Sequence, residues 1–130
     1  MSNQNLLFLS SDYCKNESLS IIDKQIIVFL KERGHEIINL DYFKNRAASQ
    51  VYEQTLGLLK TKPLVIAIIK QPVVLSLVLI AAAIFKNCPT FVFCQDKYLT
   101  EFKSITSTYL HVYEFKKIEN IVNTLKLLRL

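Results

Sequence analysis

Residues 64–94 decide the fold, and they read LVIAIIKQPVVLSLVLIAAAIFKNCPTFVFC. The apolar run Leu64–Ile69 has the length and composition of a strand buried on both faces. After a short polar break, Pro72 suits the first turn of a helix, which we expect to reach Phe85. A second apolar run, Thr90–Cys94, follows at once. This strand–helix–strand order predicts two parallel strands joined by a helical crossover.

The rest of the chain repeats the same alternation. Three more strands are predicted, at Leu6–Leu9, at Glu36–Leu40 and at Tyr109–Tyr113, which is more polar and therefore suits the edge of a sheet. Apolar residues at helical spacing predict helices over 16–33 (capped by Asn16 or Ser18 and stopped by Gly34), 46–59 and 118–128, while residues 97–105 form a short helix or an irregular segment. We therefore expect one three-layer α/β domain over residues 1–130, with a five-stranded parallel sheet in the order 2-1-3-4-5.

The composition excludes several classes of protein. Only two glycines occur in 130 residues, so neither a GxGxxG loop nor a P-loop can be built. The net charge of +5 is moderate and dispersed, which argues against a nucleic-acid partner. Three cysteines without CxxC spacing favour a reduced, cytoplasmic protein.

The longest apolar stretch, Leu64–Phe85, is long enough to raise the question of a membrane span. Lys70 and the residues around it interrupt that stretch near its first third, which divides it into a strand and a helix. The first residues, MSNQNLLFLSSD, lack a basic segment and a long apolar run. We therefore expect neither a membrane partner nor a signal peptide.

The predicted topology places the candidate site. In open parallel sheets, ligands bind outside the carboxyl ends of the strands, where the strand order reverses. The residues expected to contact a ligand there follow strands 1, 2 and 4, and they are Ser10, Ser11, Asp12, Tyr13, Asp41 and Gln95. Hydroxyl groups and free N–H groups before a helix suit a phosphate or a sugar, and Asp12 suits a ribose hydroxyl. The alternative is that these residues are ordinary loop and cap residues.

No metal site and no cofactor are expected. His35 and His111 lie far apart in the chain, and neither has the neighbouring ligands that a metal needs. Cys14 lies in a loop before a predicted helix, a position that lowers a thiol pKa. A cysteine nucleophile there is a less favoured alternative.

The predicted helix over residues 72–86 is apolar almost all round, with Ser76 as the polar residue in its middle. A helix that covers one face of a sheet normally carries a polar side toward solvent. This helix needs a second apolar partner, so we expect a homodimer that forms through it.

Several segments between residues 5 and 96 resemble the nucleoside 2-deoxyribosyltransferase superfamily, which has a flavodoxin-like fold and exchanges or cleaves N-glycosidic bonds. LLFLSSDY resembles the first strand and polar loop of that family, and RGHEIINL resembles its second strand. VYEQTLGLLKTKPLVIAII resembles the helix that leads to strand 3, and IAAAIFKNCPTFVFC the helix and strand that follow. The resemblance implies a nucleoside- or nucleotide-derived ligand.

One departure from the family bears directly on activity. Family enzymes use a Glu nucleophile on the helix after strand 3, whereas KQPVVLSLVLIAAAIF contains no acidic residue, and the aligned position falls near Leu79. Around Lys62 and Pro63, the family's aspartate before strand 3 is also missing. Attack on an anomeric carbon by this route requires the carboxylate. We therefore expect a relative that has lost the family reaction.

Two other functions stay open. SSDYCKNESLS resembles the Ser-rich phosphate loop of flavodoxins and FMN reductases, and GHEIINLDYF their second strand, although the aromatic-Gly loops for the flavin ring are missing. A colourless purified protein would remove that alternative. The other alternative is an interaction module whose apolar helix docks a partner chain.

Overall fold

The structure is a computed structural model, and it describes residues 5–14, 20–40, 46–71, 73–95, 102–105 and 107–130. Within these ranges strands and helices alternate along the chain, in the order β1 (Asn5–Ser10), α1 (Ser11–Cys14), α2 (Ile21–Glu32), β2 (Glu36–Ile37), α3 (Ala48–Leu59), β3 (Leu64–Ile69), α4 (Val74–Phe85), β4 (Thr90–Cys94), β5 (Leu110–Glu114) and α5 (Ile118–Leu127). The bounds predicted for β3 and β4 are confirmed.

The five strands form one parallel sheet in the order β2-β1-β3-β4-β5, which confirms the predicted flavodoxin-like topology. Ser10, the last residue of β1, pairs with Ile68 of β3, and Ile69 pairs with Cys94 of β4. The last residues of these three central strands therefore lie at one edge of the sheet. The strand order reverses between β1 and β3, so the crevice of an α/β sheet opens there.

The sheet has a helix layer on each face, because side chains of a strand alternate between the faces. Leu7 and Leu9 point toward α3 and α4, in a core that also holds Leu79. Leu6 and Phe8 point the other way, toward α2 and α5. All six residues of β3 are buried, as expected for a central strand covered on both sides.

The predicted boundaries need correction at the first helical region. Ser10 belongs to β1, and Ser11–Cys14 form the short helix α1 where a loop was predicted. The predicted caps Asn16 and Ser18 lie outside the described residues. α2 begins at Ile21, because the Ser20 hydroxyl accepts a hydrogen bond from the Asp23 N–H and caps the helix. Gly34 ends the helix with a positive φ, as predicted.

Strand β2 is shorter than the predicted Glu36–Leu40, since the chain turns after Ile37. The buried Asn39 side chain then does what a strand backbone would do. Its Oδ1 accepts from the Phe8 N–H at 2.9 Å, and its Nδ2 donates to the Phe8 carbonyl at 2.6 Å. A side-chain amide thus continues the ladder beside β1 and satisfies two buried backbone groups.

The remaining helices and the last strand deviate by one or two residues. α3 begins at Ala48, α4 at Val74, and α5 ends at Leu127, while β5 is shifted by one residue to Leu110–Glu114. β5 lies at the sheet edge, as predicted. Most of the segment 97–105 lies outside the described residues.

Candidate functional site

A cluster of polar side chains fills the crevice at the carboxyl ends of β1 and β3. Lys70 follows β3 directly, and its ammonium group lies among three oxygen atoms. Nζ donates to Asp12 Oδ2 at 2.6 Å, to Asp23 Oδ2 at 2.7 Å and to Ser20 Oγ at 2.7 Å. All three N–H bonds of the ammonium are therefore used within the protein. We call these residues, together with Ser10 and Ser11, the Lys70 cluster.

Two serines tie the Lys70 cluster to the sheet. The Ser10 hydroxyl donates to Asp23 Oδ2 at 2.7 Å and accepts from the Asp12 N–H at 3.1 Å. The Ser11 hydroxyl accepts from the Lys70 N–H at 3.2 Å, which joins the end of β1 to the end of β3. Both serines are fully buried, so these bonds replace the water that a hydroxyl would otherwise need.

The two carboxyl groups differ in depth and in acidity. The Asp23 side chain is 0% exposed, and this burial raises its pKa although Lys70 and Ser10 hydrogen-bond to it. The Asp12 side chain is 13% exposed. Burial also opposes the ionisation of Asp12, but hydrogen bonds and the charge of Lys70 outweigh it and lower the pKa. The outer carboxyl group is thus the stronger acid of the pair.

One atom of the Lys70 cluster has no partner. Asp23 Oδ1 is buried and receives no hydrogen bond from the part of the chain that the structure describes. A buried carboxylate oxygen without a donor is destabilising. The cluster can therefore accept one more hydrogen bond, at Asp23 Oδ1.

Three of the six predicted site residues meet in this cluster, namely Ser10, Ser11 and Asp12. Gln95 follows β4 at the same edge of the sheet and is half-buried, as is Gln71 after β3. The side chain of Tyr13 and the whole of Asp41 lie outside the described residues.

Asp23 and Ser20 are functional candidates that the sequence reasoning missed. A signal for Asp23 was present, because it shares one helical stripe with Ile26, Ile27 and Leu30, all of them buried. An acid on the apolar side of a helix needs a buried partner. Lys70 directly follows the predicted strand Leu64–Ile69, which places it at this edge of the sheet, but its role as the centre of the cluster was not predicted.

The described residues offer little for covalent or metal chemistry. They contain no group of three or more His, Cys, Asp or Glu residues that could hold a metal ion. The Cys88 and Cys94 thiols are buried, and burial together with the Glu114 charge raises the pKa of Cys94 to about 11. Burial also raises the pKa of Cys88. Leu79, near which the sequence resemblance places the family nucleophile, is fully buried in the core.

A second surface has the opposite character. On the outer side of α4, five apolar side chains face away from the core, at Val74, Leu77, Val78, Ala81 and Phe85. Beside them, α3 and α4 border a groove of about 530 Å³, lined by Tyr52, Leu56, Val78, Ala81, Ala82, Phe85 and Lys86. We call the five outward residues the α4 stripe. The helix that the sequence shows to be apolar almost all round thus exposes apolar side chains on its outer side.

Comparison with protein-family models and with curated proteins gives no match to this chain. The described residues form no helix of the length and hydrophobicity that a membrane crossing needs. The functional conclusions therefore depend on the geometry of the Lys70 cluster and of the α4 stripe.

Proposed function

We propose that this protein is a non-catalytic relative of the nucleoside 2-deoxyribosyltransferases that binds a nucleoside- or nucleotide-derived small molecule at the carboxyl ends of β1 and β3. One observation carries the proposal: the partly exposed Asp12 carboxylate is held at the point where the strand order reverses. A fixed carboxylate there is suited to accept hydrogen bonds from sugar hydroxyls.

The side chains around the crevice support binding without covalent chemistry. Leu79 is apolar and lies inside the core, so the family's carboxylate route has no nucleophile at that position. Among the described side chains of the Lys70 cluster, the ammonium already donates three hydrogen bonds, and the Asp23 carboxyl group is out of contact with solvent. Among the described residues at this edge, Asp12, Gln71 and Gln95 remain partly accessible, and so do the side chains of Lys70 and Ser20.

The test is a thermal-shift screen followed by calorimetry. Purified protein is melted with nucleosides, nucleotides, ADP-ribose-type molecules and FMN. A ligand that binds only the folded state stabilises it by about 2.7 kcal/mol at a hundredfold excess over its Kd. We expect one chemical class to raise the melting temperature, and calorimetry then gives its Kd for the wild type and for Asp12→Asn.

Asp12→Asn keeps the size of the side chain and removes its charge, so we expect it to weaken binding at least tenfold. Glu53→Gln on the exposed surface of α3 makes the same chemical change away from the crevice and leaves the Kd unchanged. The proposal is wrong if no compound binds, or if Asp12→Asn binds as tightly as the wild type.

We also propose that the protein forms a homodimer through the α4 stripe. The exposed fraction of Phe85 is 84%, and α4 contains no charged residue from Val74 to Phe85. Dimers with two-fold symmetry place the same surface against itself, and a stripe without charges meets no repulsion there. Sedimentation velocity over a range of protein concentrations tests this. A monomer at every concentration would contradict it.

For the compartment, we propose the cytoplasm. Cys88 and Cys94 are both free thiols in the buried core. Such cysteines are typical of proteins that fold in a reducing environment. Fractionation of the native host cells, with this protein detected by antibody, checks the assignment.

A further inference from the structure

The groups around the Asp12 carboxylate are those with which proteins hold free anions. Asp12 Oδ2 accepts a hydrogen bond from the Lys70 ammonium at 2.6 Å and from the Ser20 N–H at 3.3 Å. Ser20 caps α2, a helix of twelve residues, so the positive end of its dipole faces the same oxygen. An ammonium group and a backbone N–H at a helix start are a common phosphate- and carboxylate-binding combination.

We propose that Asp12 is a built-in anion, whose carboxylate occupies an anion-binding position formed by Lys70 and the start of α2 and thereby excludes free anions from the crevice. Asp12 thus determines which charge a ligand of the crevice can carry. An added ligand is selected for hydrogen-bond donors and against negative charge.

The depth of the two carboxylates supports this assignment. Asp12 retains contact with solvent, whereas Asp23 has none. The position that Asp12 occupies can therefore be reached from outside once its side chain is shortened. The Asp23 position cannot, and Asp23 stays as the permanent partner of Lys70.

Most N–H donors of the Lys70 cluster are already used in hydrogen bonds, so few of them are available to a further anion. Lys70 uses all three ammonium hydrogens, and the N–H groups of Asp12, Ser20 and Asp23 each donate to a side-chain oxygen of the cluster. Two carboxyl groups also share one ammonium. When both carboxyl groups are ionised, they repel an approaching negative charge.

The unpartnered Asp23 Oδ1 is a second, independent observation. This atom lies in a side chain that is fully buried and it lacks a donor among the described residues. The cluster is therefore short of a donor, such as a water, hydroxyl or amide group. A phosphate or carboxylate ligand in the crevice would bring further acceptors to a cluster that lacks a donor.

Chemical rescue tests the inference without knowledge of the natural ligand. Asp12→Ala is melted in sodium formate and in sodium chloride at equal ionic strength and neutral pH. Formate supplies the missing carboxylate, so we expect it to raise the melting temperature of the variant by about 5 °C at a tenfold excess over its Kd. The wild type, whose position is filled, shows no difference between the two salts.

Two further variants locate the effect. Asp12→Asn fills the position with a neutral group, and the double variant Asp12→Ala/Lys70→Met removes the ammonium, so neither responds to formate. The inference is overturned if formate does not stabilise Asp12→Ala more than chloride does. An equal formate response of the wild type, of Asp12→Asn or of the double variant also overturns it.

If Asp12→Ala does not fold in chloride, its refolding from urea in formate replaces the melting curve, and failure to refold in formate counts against the inference. The outcome is separate from that of the proposed function, because formate can rescue Asp12→Ala whether or not a nucleoside-derived ligand binds the wild type.

Discussion

The Lys70 cluster and the α4 stripe differ in how far their side chains find partners within the chain. In the cluster, two carboxyl groups and an ammonium lie in or near the core, and every charge finds an opposite charge within 2.7 Å. On the stripe, apolar side chains face solvent, and the exposed fraction reaches 84% at Phe85. The cluster is nearly satisfied within the single chain, whereas the stripe is not covered by any of the described residues.

A substitution in the Lys70 cluster and a substitution on the α4 stripe should therefore affect different properties of the protein. Removing one member of a buried ion pair leaves the other charge without a partner, and the folded chain then loses much of its stability. Changing an exposed apolar residue hardly affects a monomer, but it removes contact area from an assembly. Stability is therefore the readout for the cluster, and association is the readout for the stripe.

The largest effect is expected from Lys70→Met. The variant leaves Asp12 and the buried Asp23 without a counter-charge, so we expect the free energy of unfolding to fall by about 3–5 kcal/mol. Urea denaturation measures it.

The matched control is Lys116→Met. Lys116 is 78% exposed and lies 3.9 Å from Glu114, so its loss should cost less than about 1 kcal/mol. Equal losses in the two variants would mean that the Lys70 cluster behaves as a surface ion pair.

The pH dependence separates the two carboxyl groups of the cluster. The pKa of Asp12 is lowered, so its contribution to stability is present above the ordinary value of 3.8 and is lost as the pH falls through the folded-state pKa. The pKa of Asp23 is raised, so its contribution is fully present below 3.8 and is lost as the pH rises through the folded-state pKa.

Urea denaturation at a series of pH values, from below 3.8 to neutrality, measures both contributions. The stability of the wild type relative to Asp12→Asn should increase as the pH rises. The stability of the wild type relative to Asp23→Asn should decrease as the pH rises from 3.8 through the raised pKa of Asp23. Differences that change in the same direction would contradict the assigned depths.

On the α4 stripe, Phe85→Ser is expected to weaken self-association without unfolding the chain. The side chain is 84% exposed, so the stability of the monomer should change by no more than about 0.5 kcal/mol. Leu127→Ser on α5 is the control, because Leu127 has the same exposed fraction on a different helix. If sedimentation shows equal association of the two variants, the stripe is not the interface.

The smallest effect is expected from Gly57→Ala in α3. Apart from its chain neighbours and the nearby backbone of its own helix, a methyl group at this position meets no atom within 4 Å, and alanine favours a helix interior by about 0.5–1 kcal/mol over glycine. We expect thermal unfolding to show this gain. Gly57 does not line the groove beside the α4 stripe, so the dimer dissociation constant should stay unchanged. A weakened dimer would extend the interface across the outer surface of α3.

Most of the fold could be predicted from the alternation of apolar runs and amphipathic stretches. β3 is apolar throughout, β4 is apolar after its first residue, Thr90, and the predicted bounds of both strands are confirmed. β2 was predicted too long, because a buried side chain, Asn39, replaces the backbone ladder there. The spacing of apolar residues does not show where a side chain takes over the hydrogen bonds of a strand backbone.

The candidate site was predicted only in part, for a physical reason. Topology alone places Ser10, Ser11 and Asp12 at the sheet edge, since it depends only on the order of strands. The pairing of Lys70 with Asp23 joins residues 47 positions apart in the chain. It depends on the direction in which α2 crosses the sheet, which local sequence does not specify.

The most direct test of the whole account is a pair of ¹⁵N–¹H NMR titrations on this 15.0 kDa chain. One varies the nucleoside-derived ligand found in the screen, and the other varies the protein concentration. We predict that the ligand shifts amides of Ser10, Asp12, Lys70 and Gln95, whereas dilution shifts amides of α4. Ligand-induced shifts on α4 alone, with none at the carboxyl ends of β1 and β3, would contradict the account.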